Sequence, residues 1–282
     1  MAVLILLDPS SAFDAIGHYI LLHRLRSLYG ISGSVLLWFE SYLTGRTQTA
    51  IVNDKSSRRV FFGVREGSVL RPILFILYST SLSFLSETHS VSNQSFADDT
   101  QVLHSCPPTK LLSTVLTMQT CISDVKTWMT QNKLKLNDDK SEAVLIKSNR
   151  TSFPSAQPTS LPVGSADSPF TTCARNLGFM ISDIMCLDKH TSKVCRSAYV
   201  KIRRISSIRQ YLTVEATKTL VCAFVLSKLD YCNSLLFGYP LYILRRLQKV
   251  QNSAAKLVFK SRRRDHVQPL LRALIGYRSK PE

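Results

Sequence analysis

The run AVLILL at residues 2–7 constrains the fold most. Six apolar residues in succession leave no polar side for water. A strand covered on both faces takes such a run, whereas a half-exposed strand needs alternation. The run stops at Asp8 and Pro9. We therefore expect a central strand that carries Asp8 at its end. The opening MAVLILL has no basic residue ahead of its apolar run, and Asp8 interrupts it, so it does not read as a secretory leader. No stretch reaches the roughly 18 apolar residues of a membrane span, and no membrane partner is expected.

The stretch SNQSFADDTQVL has apolar and β-favouring residues on both sides of Asp98 and Asp99. It reads as two strands joined by a tight turn. Between it and the first strand, GHYILLHRLRSLY (17–29) and VLLWFESYL (35–43) have helical spacing, with Gly30 and Gly45 as stops. QTAIVN and RRVFFGV read as short strands around a polar turn at 54–57. After Gly67 and Ser68, residues 69–85 read as one long apolar helix, with Pro72 near its start where proline is tolerated. Residues 110–132 read as an amphipathic helix with Leu111, Leu112, Val115, Met118, Ile122, Val125 and Trp128 inward. AVLI (143–146) reads as a buried strand. Residues 148–172 are dense in Ser, Thr and Pro and read as a long loop. NLGFMIS (176–182) is a short strand, and from about 189 onward the pattern is helical. The fold class is α+β: an antiparallel sheet backed by helices over 1–182, then a helical region over 183–282.

Charge divides the chain the same way. Residues 1–100 are neutral overall, with 8 basic and 8 acidic side chains, while residues 151–282 carry 21 basic against 7 acidic. The whole chain stands at +17. Such an excess implies an anionic partner, nucleic acid above all. Lys201, Arg203 and Arg204 on one helix and Arg245, Arg246 and Lys249 on another are the candidate contacts. The same charges also suit plain solvated faces. The seven cysteines show no C-x-x-C pair, so zinc spacing is absent and free thiols in a reducing compartment are expected. The six histidines show no ligand spacing. SRRRDH is a short basic cluster, and localisation stays open between nucleus and cytoplasm.

Asp98 and Asp99, taken alone, read as a solvated turn. With Asp8 the reading changes. If the first strand and the hairpin adjoin in one sheet, three carboxylates converge. Uncompensated, that arrangement costs several kcal/mol. Two Mg²⁺ ions would offset it, and paired metals suit phosphoryl transfer.

In their order the motifs resemble the reverse transcriptase of non-LTR, LINE-type retrotransposons. LLDPSSAFDAIGHYILLHRL resembles that family's first palm motif, with Asp8 at the metal-binding aspartate. Phe13 takes the place of the bulky residue that screens the sugar 2′ position; an ordinary core phenylalanine is the alternative. GVREGSVLRPILFILY resembles the next motif, where Gly67 and Ser68 form the turn near the nucleotide; they also suit a plain helix start. FADDT matches the metal-binding hairpin. LKLNDDKSEAVLI resembles the following motif, with Lys140 at the lysine that assists pyrophosphate departure; an ordinary solvated lysine is the alternative. NLGFMIS is similar to the strand that supports the primer end, and residues 183–282 resemble the thumb. The resemblance implies an RNA-directed DNA polymerase (a nucleotidyltransferase) using an RNA template, a DNA primer, dNTPs and two Mg²⁺ ions.

This sequence departs from the pattern in places. On this resemblance the fingers and upstream endonuclease are expected to be missing, and a partner would then supply them. The family's Pro-Gln-Gly-Ser-Val-Leu-Gly-Pro reads Arg65-Glu66-Gly67-Ser68-Val69-Leu70-Arg71-Pro72. Glu66 replaces an amide with an anion, Arg71 puts a long cation where a small residue stood, and Pro9 removes a backbone donor beside Asp8. These changes keep open a catalytically inactive nucleic-acid-binding remnant, or a mobile-element fragment without a biochemical role. Asp14 reads as a charge at a helix N-terminus.

Overall fold

The computed structural model describes residues 1–10, 12–45, 51–52, 55–56, 62–64, 67–148, 150, 158–163, 166–262 and 264–275. They form two compact units. One comprises Met1–Leu177 with Asp183–Met185, the other Gly178–Ser182 with Cys186–Glu282. The fold is α+β.

The first unit is built on a four-stranded antiparallel sheet. The apolar run is β1 (Ala2–Leu7). The hairpin strands are β2 (Ser92–Phe96) and β3 (Asp99–Ser105), and Glu142–Ile146 is β4. Their order is β2-β3-β1-β4. The expected central strand is thus found, between β3 and β4. Val3, Ile5 and Leu7 are buried in the main core. Helices α1 (His18–Ser27), α2 (Gly33–Leu43), α3 (Leu70–Ser79), α4 (Ser81–Thr88) and α5 (Leu111–Gln131) complete the unit. Leu21, Leu25, Leu74, Tyr78, Met118, Ile122 and Met129 join the same buried cluster. Complete burial of one such side chain stabilises by about 1.5–3 kcal/mol.

A buried arginine ties three of these helices. The Arg24 guanidinium donates to Asn132 Oδ1, just past α5, and lies 4.8 Å from the centre of the Tyr78 ring and 5.2 Å from that of Trp128. Tyr78 Oη donates to the Asn132 carbonyl at 2.6 Å. Position 24 falls on the inward stripe of α1 with Leu21 and Leu25, and only the folded chain supplies partners for the charge placed there.

Five local expectations change. The strand expected over 176–182 is shorter, Phe179–Ser182, because Leu177 and Gly178 form a turn with φ of 46° and 84°. The helix expected over 69–85 is two helices, because the chain passes from α3 to α4 at Thr80, whose Oγ1 donates to the Ile76 carbonyl and accepts from Tyr29 Oη. Leu112 is exposed rather than inward, while Cys121 and Met129 are buried on α5. Lys55 and Ser56, expected in a polar turn, pair with Val52 and Ile51; residues 58–61 of the second expected strand lie outside the described residues. The segment 148–172 contains a paired hairpin, Ser160–Val163 with Ala166–Pro169. Leu161 is fully buried in the main core, which composition alone hides.

The second unit is mainly helical. It contains strand Phe179–Ser182, α6 (Asp188–Ile208), α7 (Val214–Val221), a π-helical turn Cys222–Leu226, α8 (Ser227–Asp230), α9 (Leu241–Val258) and α10 (Gln268–Ile275). Thr213 caps α7, its Oγ1 accepting from Ala216 N at 3.1 Å. The core holds Ala198 and Ile205 of α6, Val221 and Val225, and Val250, Ala254 and Val258 of α9. Among the described residues, no helix is long and apolar enough to cross a membrane.

Candidate active site

Strand register decides which carboxylates meet. Leu7 pairs with Thr100, and Asp99 pairs with Phe96 to close the β2–β3 hairpin. One further step of the β1–β3 register sets Asp8 opposite Asp99. Ala97 and Asp98 form the two-residue turn. Ala97 has φ of 54°, the left-handed region where a Cβ is strained. Desolvation first, then the charges of Asp98 and Asp8, push the Asp99 carboxyl above its usual range. Lys140 stands on the other side of Asp8. It lies in a 3₁₀ turn, Asp138–Lys140, whose start is tied to Asp8 by Asn137 N donating to the Asp8 carbonyl at 2.9 Å. Lys140 Nζ is 3.7 Å from Asp8 Oδ2. Pro9 leaves the backbone pairing there intact, since Pro9 and Ser10 pair with Leu136 and Lys135.

Phe13 sits in the short turn Ala12–Asp14, its ring 5.0 Å from that of Phe75 on α3. Arg71 covers the Phe13 ring at 4.8 Å and pairs with Asp14 Oδ1 at 2.9 Å. Asp14 is therefore one half of an ion pair rather than a plain helix-end charge. The long cation at position 71 has found two partners inside the fold. Arg71→Gly should lower stability by about 1–2 kcal/mol, since it strips the ring and leaves Asp14 alone. Denaturant unfolding measures it, and an unchanged midpoint would show those contacts to be neutral.

The turn is held from behind by Gly63. Gly63 N donates to the Ile16 carbonyl at 2.9 Å, and Val64 N to the Phe13 carbonyl at 3.2 Å. Gly63 has φ of 87°, and a Cβ there would stand 2.9 Å from both Asp14 Cα and Asp14 O. Gly63→Ala should cost about 2–3 kcal/mol, through both the dihedral and the clash. Ser68 starts α3: its Oγ accepts from Leu70 N at 3.3 Å and lies 2.7 Å from Tyr42 Oη. Gly67 precedes it with φ of 75°. Arg65 and Glu66 lie outside the described residues.

The reverse transcriptase (RNA-dependent DNA polymerase) family model matches residues 2–181. The chain belongs to the reverse transcriptase family. The matched span contains Asp8, Phe13, Gly67, Ser68, Asp98, Asp99 and Lys140. Solved structures that resemble it include apo telomerase from Candida tropicalis, at 13% identity and TM-score 0.49, over 98% of this chain and 50% of that one. Telomerase from Candida albicans in complex with the TWJ fragment of telomeric RNA matches at 13% identity and TM-score 0.40, over 98% and 46% of the two chains. This chain thus spans about half the length of those structures. No curated protein matches.

The donor chemistry of these carboxylates suits a hard divalent cation. Asp8, Asp98 and Asp99 offer carboxylate oxygens at one end of the sheet, with no thiol or imidazole between them in the register. Among the described residues, however, no group of three or more His, Cys, Asp or Glu side chains is gathered as a metal cage. The structure therefore places the three as neighbours and does not assemble them into a closed site.

The basic candidates lie on two helices. Arg203 and Arg204 on α6 and Arg245 and Lys249 on α9 are exposed, and Lys201 is half-buried. Arg246 is engaged inside the second unit. Its Nη1 is 3.4 Å from Asp188 Oδ1, and its Nη2 donates to Ser192 Oγ at 2.6 Å. Hydrogen bonds from Cys186 and then Tyr242, helped by the Arg246 charge, hold the Asp188 carboxyl below its usual range. Arg209 is buried. It donates to the Leu257, Leu212 and Val258 carbonyls at 3.0, 2.7 and 2.7 Å. Position 209 follows the last turn of α6, where helical spacing no longer reports burial.

Proposed function

We propose that this chain performs template-directed DNA synthesis on RNA, as a reverse transcriptase of the non-LTR, LINE type. The observation that carries the reading is the register that sets Asp8 opposite Asp99, with Asp98 in the adjoining turn. Residues 1–182 serve as the palm and 183–282 as a thumb-like region. Asp8, Asp98 and Asp99 would hold two Mg²⁺ ions; when bound, these supply Lewis acidity to the attacking primer hydroxyl and the departing pyrophosphate. The remaining work belongs to the protein's own groups. The primer 3′ hydroxyl gives up its proton to solvent as its oxygen bonds to the α-phosphorus of the dNTP, and the bond to the α–β bridging oxygen breaks to release pyrophosphate. Lys140, oriented by Asp8, places a cation where pyrophosphate charge develops. Phe13, fixed between Arg71 and Phe75, screens the 2′ position, and Gly67 and Ser68 shape the turn beside the nucleotide. Lys201, Arg203, Arg204, Arg245 and Lys249 contact the phosphate backbones of template and primer, while Arg246 shapes that surface from within. The motif series from Asp8 to Lys140 supports the LINE-type assignment.

The test is extension of a DNA primer annealed to an RNA template, with Mg²⁺ and all four dNTPs. Extension dependent on both RNA template and Mg²⁺ is expected. A folded chain that binds the primer–template and adds no nucleotide would overturn the reading.

A further inference from the structure

The second unit contains a cleft of about 210 Å³ lined by Lys201, Arg204, Ile205, Ile208, Leu220 and Phe224. Its floor is apolar and its rim carries two cations. Lys201 Nζ lies 5.7 Å from the centre of the Phe224 ring, and that side chain is 46% exposed. We infer that this cleft seats one unpaired nucleobase of a single-stranded nucleic acid, stacked on Phe224, with the flanking phosphates on Lys201 and Arg204.

Three observations converge on that occupant. The first is volume. A cavity of about 150 Å³ takes a benzene ring, so this cleft holds a single planar ring system. The second is backbone geometry. Phe224 is the central residue of the π-helical turn Cys222–Leu226, inserted between α7 and α8. Such turns interrupt α-helical hydrogen bonding and are found frequently at functional sites. Here the turn leaves a large aromatic half in solvent although Val221, Val225 and Leu226 around it are buried. The third is charge. From 189 to 214 the chain has seven Lys or Arg and no Asp or Glu, and the two charged side chains that α6 sends to the cleft, Lys201 and Arg204, are both cationic. An aromatic face beside a cationic backbone track is the arrangement that binds single strands without regard to sequence, because every base has a π-face.

The inference rests on reading the basic helices as a nucleic-acid surface, and it does not require the palm to be catalytic. The full chain would be titrated without Mg²⁺ against a fluorescent single-stranded 12-nucleotide DNA and against an abasic strand of equal length and charge. Phe224→Ala should weaken binding to the base-bearing strand about tenfold and leave the abasic strand unchanged. Phe224→Leu, which keeps apolar bulk without the ring, should behave as Phe224→Ala does. Arg204→Ala should weaken both strands and reduce the salt dependence. Equal effects of Phe224→Ala on the two strands, or none, would overturn the nucleobase while leaving phosphate binding standing. An acidic aromatic peptide that binds tightly and is lost in Phe224→Ala, with strands unaffected, would assign the cleft to a protein partner instead. Failure of the parent to bind either strand at low salt would remove the nucleic-acid surface and the inference together.

Discussion

Primer extension should fall at least about a thousandfold in Asp98→Asn and in Asp8→Asn, because each removes an anionic ligand and leaves an amide that binds a hard cation poorly. The two variants should remain folded. The carboxylates are arranged against their own electrostatics, since the Asp99 carboxyl is pushed up by desolvation and by its two acidic neighbours. A group whose folded pKa lies above its unfolded value contributes stability at low pH and loses that contribution as pH rises through the folded value. The Asp99 contribution in the metal-free parent should therefore grow on acidification toward the ordinary aspartate pKa of about 3.9, while Asp188, held below its usual range, contributes with the opposite sign. Asp98→Asn should show a flatter pH dependence of Tm at the same time as it loses synthesis. Loss of synthesis accompanied by global unfolding would mean that the hairpin carboxylates are structural.

The largest stability effect should come from Arg209→Ala. One side chain satisfies the carbonyls of Leu257 and Val258, in the last turn of α9, and that of Leu212. Helix ends leave such carbonyls without intrahelical partners, and the loss of a buried partner costs about 1–3 kcal/mol per group. The three overlap, so a total of about 3–5 kcal/mol is expected. Arg209→Lys should recover only part, because one ammonium cannot span three acceptors held by a planar fork. Hydrogen exchange at amides of α6 and α9 in the full chain reads the loss within the second unit. Protection unchanged in Arg209→Ala would show that water replaces the guanidinium without penalty.

Much of the sheet was legible because its signals are local. A six-residue apolar run closed by Asp8 and Pro9 is too short for a typical helix and suits a buried strand, and the aspartate pair between apolar strands marks a hairpin. The proximity of Asp8 and Asp99 followed from those two elements once they adjoined. Other features depend on distant chain. Leu161 is buried because its hairpin reaches the core, although its neighbours in sequence are Ser, Thr and Pro. Arg24 and Arg209 are internal because carbonyl, amide and aromatic groups far along the chain receive them. Arg71 departs from the family pattern, and only three-dimensional proximity to Asp14 and Phe13 reveals its accommodation.

The outer margin of the sheet has a bearing on how this protein behaves in concentrated solution. Strand β2 ends the sheet, and among the described residues no other strand pairs along its outer side. Its sequence, SNQSF, carries no charge, and four of its five residues are exposed. Natural sheets commonly protect such margins with lysine, proline or a bulge. Here only short polar side chains and the Phe96 ring stand between one molecule's open amides and carbonyls and another's. The net charge of +17 is then the main barrier to edge-to-edge stacking. Polyanions or high salt that neutralise it should promote edge-to-edge association, read by light scattering, and Gln94→Lys should reduce that association.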